Sequence, residues 1–397
     1  MIAAARRRWA ADPEFVVFVL AVVSAYIGLT AVAAVVSGVK PDRMMILAGR
    51  VVQGRLDDPS FAGTVDSVTL AGRSYIAVGP LQMIPYLAFV PFGALQPIAG
   101  YVIGVVIGMA AALLSLPLVR AYGATGRDAI WLATFTAFGT LLLYVSVEGD
   151  MYYLAQAEAF LLLEVFLFEW ARRRRPEILG TALGLSCLAR PTTILAAVPF
   201  GLLLLWQSRN RMVAAIRMGV PIAVAVAGHA LFNWARFGSP LESGYGISLL
   251  LSHELAARRA RGLFSIHHLP GNLRLALIAL PGLIAHFPYV WPSKFGLSMA
   301  LVSPGLVAGV RAGFRSSERL VLWAAVVVVA IPVFLYYGGG VVQYGFRYSL
   351  DFTPFLVVLM AIGARAGLGR IDRALFIASI VSVVFGTLWR AHVFGPY

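Results

Sequence analysis

The sequence is nearly without cysteine and nearly without lysine. Cys187 is the single cysteine in 397 residues, which excludes an intramolecular disulfide and leaves the redox compartment unread. Lys40 and Lys294 are the only lysines, so the basic charge is almost all arginine. Charge itself is scarce: 13% of residues are charged against 60% apolar, a balance that excludes an ordinary soluble globular domain. No internal repeat or low-complexity linker divides the chain, so 1–397 reads as one membrane domain. The glycines at 338–340 lack the spacing and the lysine of a P-loop, which leaves nucleotide binding without support. His267 and His268 are adjacent but have no further ligands nearby, and they read as loop residues.

What the chain does have is long apolar runs. Segments 15–37, 98–119 and 320–337 approach or exceed the length that crosses a bilayer, about 18 to 20 residues for a ~30 Å hydrocarbon core. A net charge of +14 would suggest nucleic acid in a soluble protein, but the placement of the arginines argues otherwise. They cluster at Arg6 to Arg8, at Arg120 and Arg127, at Arg172 to Arg175, and at Arg209, Arg211 and Arg217. Further clusters stand at Arg311, Arg315 and Arg319 and at Arg365, Arg370 and Arg373. They recur at every second gap between apolar runs, which is the positive-inside pattern of membrane helices and no nucleic-acid footprint.

With those gaps placed in the cytoplasm, spans fall near 15–37, 97–119, 128–147, 153–171, 177–189, 192–206, 213–234, 297–312, 320–337, 351–366 and 374–392. The expectation is an all-α integral membrane bundle of about eleven helices, amino terminus inside and carboxyl terminus outside, in a bacterial inner membrane. The first run, behind a basic segment and followed by other spans, reads as an uncleaved signal anchor. Two apolar stretches, 81–95 and 273–287, are left over; they read as membrane-surface or re-entrant pieces in two long external loops, about 38–96 and 236–296. The short spans 177–189 and 192–206 form a hairpin with Arg190 and Pro191 at its tip. A lipid-facing charge at that depth costs at least about 2.5 kcal/mol, so Arg190 is expected to face a polar interior.

Setting aside the charges that topology explains leaves Asp42, Glu148, Asp150, Glu158, Arg190, Arg236, Arg347 and Asp351 near the outer ends of spans. Ionisable groups at such places are functional candidates. Asp42 stands where the first span exits, ahead of a short amphipathic segment with Met44, Leu47, Val51 and Val52 on one side. It can cap that helix, and it can accept a proton from an acceptor hydroxyl; one carboxylate can do both. Glu148 and Asp150 stand at the exit of the third span, where they can hold an acceptor or a divalent cation, though two acids with one intervening residue make a weak metal pattern. Arg190 and Arg347 suit phosphate, because a guanidinium grips it bidentately and keeps its charge in a dry site. Asp351, four residues after Arg347, can also simply pair with it.

In the order of these features the chain resembles the C-type glycosyltransferase superfamily, multi-span enzymes that take sugars from polyprenyl-phosphate carriers. The likeness rests on a first span, an external loop opening with an acid at Asp42, and a second acidic loop at Glu148-Gly149-Asp150. Four segments are similar to bacterial relatives of the family 39 type: RSYIAVGPLQMIPYLAFVPFGAL (73–95), GLSCLARPTTILAAVPF (184–200), FNWARFGSPLESGYG (232–246) and VVQYGFRYSLDFTPFLVVLMAIG (341–363). The resemblance implies that Asp42 is the general base and that the Glu148 to Asp150 loop is the second acidic site, near acceptor or metal. It departs from the family where many members carry an acid pair and this chain has Asp42 followed by Arg43. No counterpart of the soluble carboxyl-terminal domain of larger members is evident, which leaves acceptor selection to the membrane domain. The implied reaction is inverting transfer from a polyprenyl-phosphate sugar to a glycan or lipid acceptor, with the departing lipid phosphate held by Arg190 and Arg347. The rival is a transporter or flippase of lipid-linked sugars, for which paired repeats or polar residues on both sides of the midplane are expected.

Overall fold

The computed structural model describes residues 13–39, 42–249, 252–293 and 295–394. Arg6 to Arg8, Lys40 and Lys294 lie outside the described residues. The chain opens with α1 (Pro13–Ser37), followed by the short α2 (Arg43–Val52) and an antiparallel hairpin of β1 (Ser67–Leu70) and β2 (Arg73–Ile76). Two 3-10 segments, Leu81–Phe89 and Gly93–Ile98, lead into α3 (Ala99–Ala121). Then come α4 (Gly126–Phe138), α5 (Leu141–Val147), α6 (Met151–Arg172), α7 (Pro176–Ala189), α8 (Ala197–Gln207) and α9 (Arg211–Phe237). A long connection holds α10 (His253–Arg259), α11 (Leu269–Ile278), the two-residue strands β3 (Gly282–Leu283) and β4 (Val290–Trp291), and α12 (Met299–Val302). The chain finishes with α13 (Ser317–Leu335), α14 (Thr353–Gly363) and α15 (Arg370–Arg390).

This is a multi-pass membrane protein. Among the described residues six helical stretches are long and apolar enough to cross a membrane: α1, the 93–121 run ending in α3, α6, α9, α13 and α15. A seventh forms if α4 and α5, bent by 44°, count as one. The bend falls at Gly139 and Thr140, where the Thr140 hydroxyl takes the Leu142 N–H and starts a new helix. The eleven expected spans are therefore not eleven long helices. Segments 177–189, 192–206 and 351–366 are shorter apolar helices. Segment 297–312 holds the four-residue α12 and, after Ser303, a 3-10 run, Pro304–Ala312, because Pro304 cannot donate to the ladder of α12. The two small hairpins also qualify the all-α expectation.

Helix α14 is the centre of the bundle: all 11 of its residues are buried. By contrast α9 turns Val220, Val224, Leu231 and Trp234 outward, as a lipid-facing helix does. Its other side lies on α7, where glycines allow backbone contact. A Cβ at Gly180 would sit 2.1 Å from the Met218 carbonyl oxygen, and one at Gly184 would meet Ala225.

Ion pairs collect the arginine clusters at one end of the bundle. Arg127 reaches Glu14, Arg373 reaches Asp128, Arg311 reaches Asp372, Arg174 reaches Glu318 and Arg217 reaches Glu177. The opposite end carries the two long connections and every residue of the candidate site.

Candidate active site

Asp42 caps α2: its Oδ1 accepts from the Met44 N–H at 2.8 Å. Its Oδ2 accepts the hydroxyl of Tyr86, a fully buried residue of the first 3-10 segment. The Tyr86 ring is packed among Met44, Leu47, Met83, Ile103 and Leu154, so the phenol that orients the carboxylate is itself fixed. Asp150 arrives beside this pair because two glycines let backbones touch. A Cβ at Gly100 would lie 2.2 Å from the Gly149 carbonyl oxygen and 2.8 Å from Asp42 Oδ2, and Gly149 holds a left-handed φ of 59°. Asp150 then caps α6, with Oδ1 2.9 Å from the Tyr152 nitrogen. Burial pushes the Asp42 carboxyl up to about 6, and the Asp150 charge adds to the rise; the Tyr86 hydroxyl and the Met44 N–H pull the other way. A carboxylate poised there can take a proton near neutral pH.

The two acids of the second loop part company. Glu148 meets Arg390, at the end of α15, at 3.3 Å, with both side chains mostly buried, while Asp150 stays with Asp42. Among the described residues no group of three or more His, Cys, Asp or Glu side chains gathers as a metal cluster.

The arginines come from the hairpin tip and from the approach to α14. Pro191 forces Arg190 into extended backbone and ends α7, turning the guanidinium into the bundle. There it forms a fork with the fully buried Asp351, Nε to Oδ1 at 3.0 Å and Nη2 to Oδ2 at 2.9 Å, and Thr192 adds a hydroxyl at 2.7 Å. The polar interior expected for Arg190 is there, but Asp351 serves Arg190 rather than Arg347. Arg347 is 7% exposed, donates to Gln343 Oε1 at 3.1 Å and to the Tyr152 carbonyl oxygen at 2.5 Å, and lies against the rings of Tyr153 and Tyr348 at 4.9 and 5.0 Å. Among the described residues no carboxylate comes within ion-pair distance of it. A buried guanidinium with no carboxylate in direct contact is costly and favours an anion as partner.

Tyr152 and Arg43 join the acidic and basic halves. Arg43 donates to the Tyr152 hydroxyl and to the Val65 carbonyl oxygen, each at 2.8 Å, while the carbonyl of Tyr152 holds Arg347. Arg236, 3% exposed, donates to the carbonyls of Ile76 and Val78, pinning the first external connection to the end of α9. Tyr86, Tyr152, Tyr153 and Tyr348 went unread in the sequence because a tyrosine carries no charge to betray a site. The Tyr152-Tyr153 pair, one residue past Asp150, was an available cue. Glu158, expected at the outer ends of spans, lies buried within α6, and Glu164 lies deeper in the same helix at 0% exposure; neither has a hydrogen-bond partner among the described residues.

No family model matches the chain, and no curated protein matches it. A solved structure to which it is similar is the archaeal oligosaccharyltransferase AglB from Archaeoglobus fulgidus, in complex with an inhibitory peptide and a dolichol-phosphate. The two are 14% identical with a TM-score of 0.45 over 94% of this chain, which spans 56% of that protein's length.

Proposed function

We propose that this chain is a membrane glycosyltransferase of the C type, moving a sugar from a polyprenyl-phosphate donor to an acceptor hydroxyl on the outer face of a bacterial inner membrane. In this reading Asp42 takes the proton of the acceptor hydroxyl as its oxygen bonds to the anomeric carbon. The bond from that carbon to the phosphate oxygen breaks, the configuration inverts, and the lipid phosphate leaves with the electron pair. Arg347 receives that phosphate. Arg190, its fork already engaged by Asp351, adds positive charge across the Tyr348 ring. Asp150 raises the affinity of Asp42 for the proton and lines the approach of the acceptor. The observation that carries the reading is Arg347, buried and without an ion pair among the described residues, joined through Tyr152 and Arg43 to the end where Asp42 meets Tyr86.

The test is release of polyprenyl phosphate from a labelled polyprenyl-phosphate hexose by protein in liposomes, with a membrane extract as acceptor source. Asp42→Asn is expected to slow release by about 10² to 10⁴, the usual contribution of a general base. Asparagine caps a helix as well as aspartate, so a capping role alone predicts no loss. Parental turnover in Asp42→Asn removes Asp42 from the mechanism. Wild-type activity should fall as pH drops below about 6, where Asp42 becomes protonated and can no longer act as a base.

A second reading, a carrier of lipid-linked sugars, is favoured by Glu158 and Glu164, since carboxyl groups inside a membrane helix often mark a transport path. Movement of intact donor across the liposome, abolished by Glu164→Gln without any bond cleavage, distinguishes it.

A further inference from the structure

One carboxylate near the arginines has no task in the scheme above. Asp66 sits at the open end of the β1–β2 hairpin, just before β1: its carbonyl accepts the Ala77 N–H at 2.8 Å and its backbone is left-handed, with φ of 57°. Its two chain neighbours tie it to both sides of the site. On one side the Val65 carbonyl is held by Arg43 at 2.8 Å and by the Tyr152 hydroxyl at 3.2 Å, and the backbone of Tyr152 holds Arg347. On the other side the Ser67 carbonyl accepts the Leu249 N–H at 2.8 Å, which draws the loop of Tyr245 alongside. From Tyr245 a file of half-buried rings runs back to the arginines. Tyr245 meets Tyr336 edge-on at 6.4 Å, Tyr336 meets Tyr348 at 6.4 Å, and Tyr348 lies under both Arg190 and Arg347. Asp66 therefore stands between the phosphate arginine and an aromatic wall, half-buried and with no ion pair among the described residues.

We propose that Asp66 is the ligand of the donor's sugar, its carboxylate accepting hydrogen bonds from ring hydroxyls while Tyr245 and Tyr336 cover the sugar's apolar face. The proposal rests on the donor reading given above and adds to it the recognition of the sugar. Hydrogen bonds to an ionised group are the strong ones, and an aromatic ring offers an apolar surface at little entropic cost. The substrate class that fits is a neutral, polyhydroxylated hexose; a uronic acid would set a second carboxylate against Asp66. Burial pushes the Asp66 carboxyl up, while the charges of Arg43 and then Arg347, and a hydrogen bond from the Tyr152 side chain, pull it down; the carboxylate keeps further lone pairs for sugar hydroxyls.

Binding to protein in nanodiscs tests this with two probes, undecaprenyl phosphate and its mannosyl or glucosyl ester. The quantity read is the ratio of the two affinities. In the wild type the hexose ester is expected to bind more tightly than the bare phosphate. Asp66→Asn should shrink that preference by about 10- to 100-fold, the size expected for losing hydrogen bonds to a charged group. Asparagine tolerates the left-handed backbone, so the hairpin keeps its shape. Tyr336→Leu should shrink the ratio in the same direction. Arg347→Lys should weaken both probes and leave the ratio unchanged, which separates the phosphate contact from the sugar contact. An Asp66→Asn protein with the wild-type ratio overturns the proposal and leaves Asp66 a turn residue. A wild type that binds neither lipid overturns the donor reading itself.

Discussion

The arginines at the two ends of the bundle live in different physical worlds. At the end where the clusters gather, Arg127 and Glu14 pair at 2.9 Å with side chains 84% and 44% exposed, and Arg217 with Glu177 is also open to solvent. Such pairs are screened and are worth about 0–1 kcal/mol each. At the other end Arg236 and Arg347 are 3% and 7% exposed, and Arg190 leans on an Asp351 with no exposure at all. Their partners are backbone carbonyls, aromatic rings and one buried carboxylate. Desolvating a charge costs several kcal/mol, so arginine is kept there only where packing or chemistry requires it. The same residue type is thus solvated at one end and buried in the candidate site at the other.

The sharpest way to break this contrast lies between the two acids. Gly100→Ala forces a methyl onto the Gly149 carbonyl and onto Asp42, where backbone cannot yield as a side chain would. Its cost should exceed the ~1–3 kcal/mol of ordinary overpacking, and sugar transfer should be lost along with thermal stability in a detergent-melting assay. A Gly100→Ala protein with parental melting and turnover would mean that α3 and the 148–150 turn are not in contact.

A smaller effect is expected at Tyr86. Tyr86→Phe removes a hydrogen bond that holds the Asp42 carboxyl down, so the acid limb of the rate profile should move above pH 6 while the plateau falls only several-fold. An unmoved limb would detach Tyr86 from the base. At the other end Arg127→Gln should change stability by no more than about 1 kcal/mol and leave transfer untouched. A large loss there would show that the exposed pairs matter more than their solvation allows.

Much of this was legible in the sequence, and the part that was not has physical reasons. Long apolar runs and the two-fold alternation of arginine gaps located α1, α3, α6, α9, α13 and α15, because a bilayer imposes length and charge bias on any crossing helix. Segment 297–312 misled because hydropathy cannot tell a helix from a 3-10 run broken by proline. Asp42 and Asp150 were visible as acids at span exits, and both prove to cap helices. Which arginine takes Asp351 was not visible, since a spacing of four residues favoured Arg347 whereas the fold brings Arg190 in from 161 residues away. The Tyr86 contact joins residues 44 apart, and the ring file from Tyr245 to Tyr348 likewise closes only in three dimensions.

The most direct measurement is the affinity of undecaprenyl phosphate for wild type, Arg347→Lys and Arg127→Lys, each in nanodiscs of one lipid composition. Lysine keeps the charge but loses the planar fork. Arg347→Lys is expected to weaken binding at least ~10-fold, about 1.4 kcal/mol, with Arg127→Lys indistinguishable from wild type. Normal affinity in Arg347→Lys, or equal losses in both variants, would contradict the claim that the buried arginine, and not the arginine-rich end, receives the lipid phosphate.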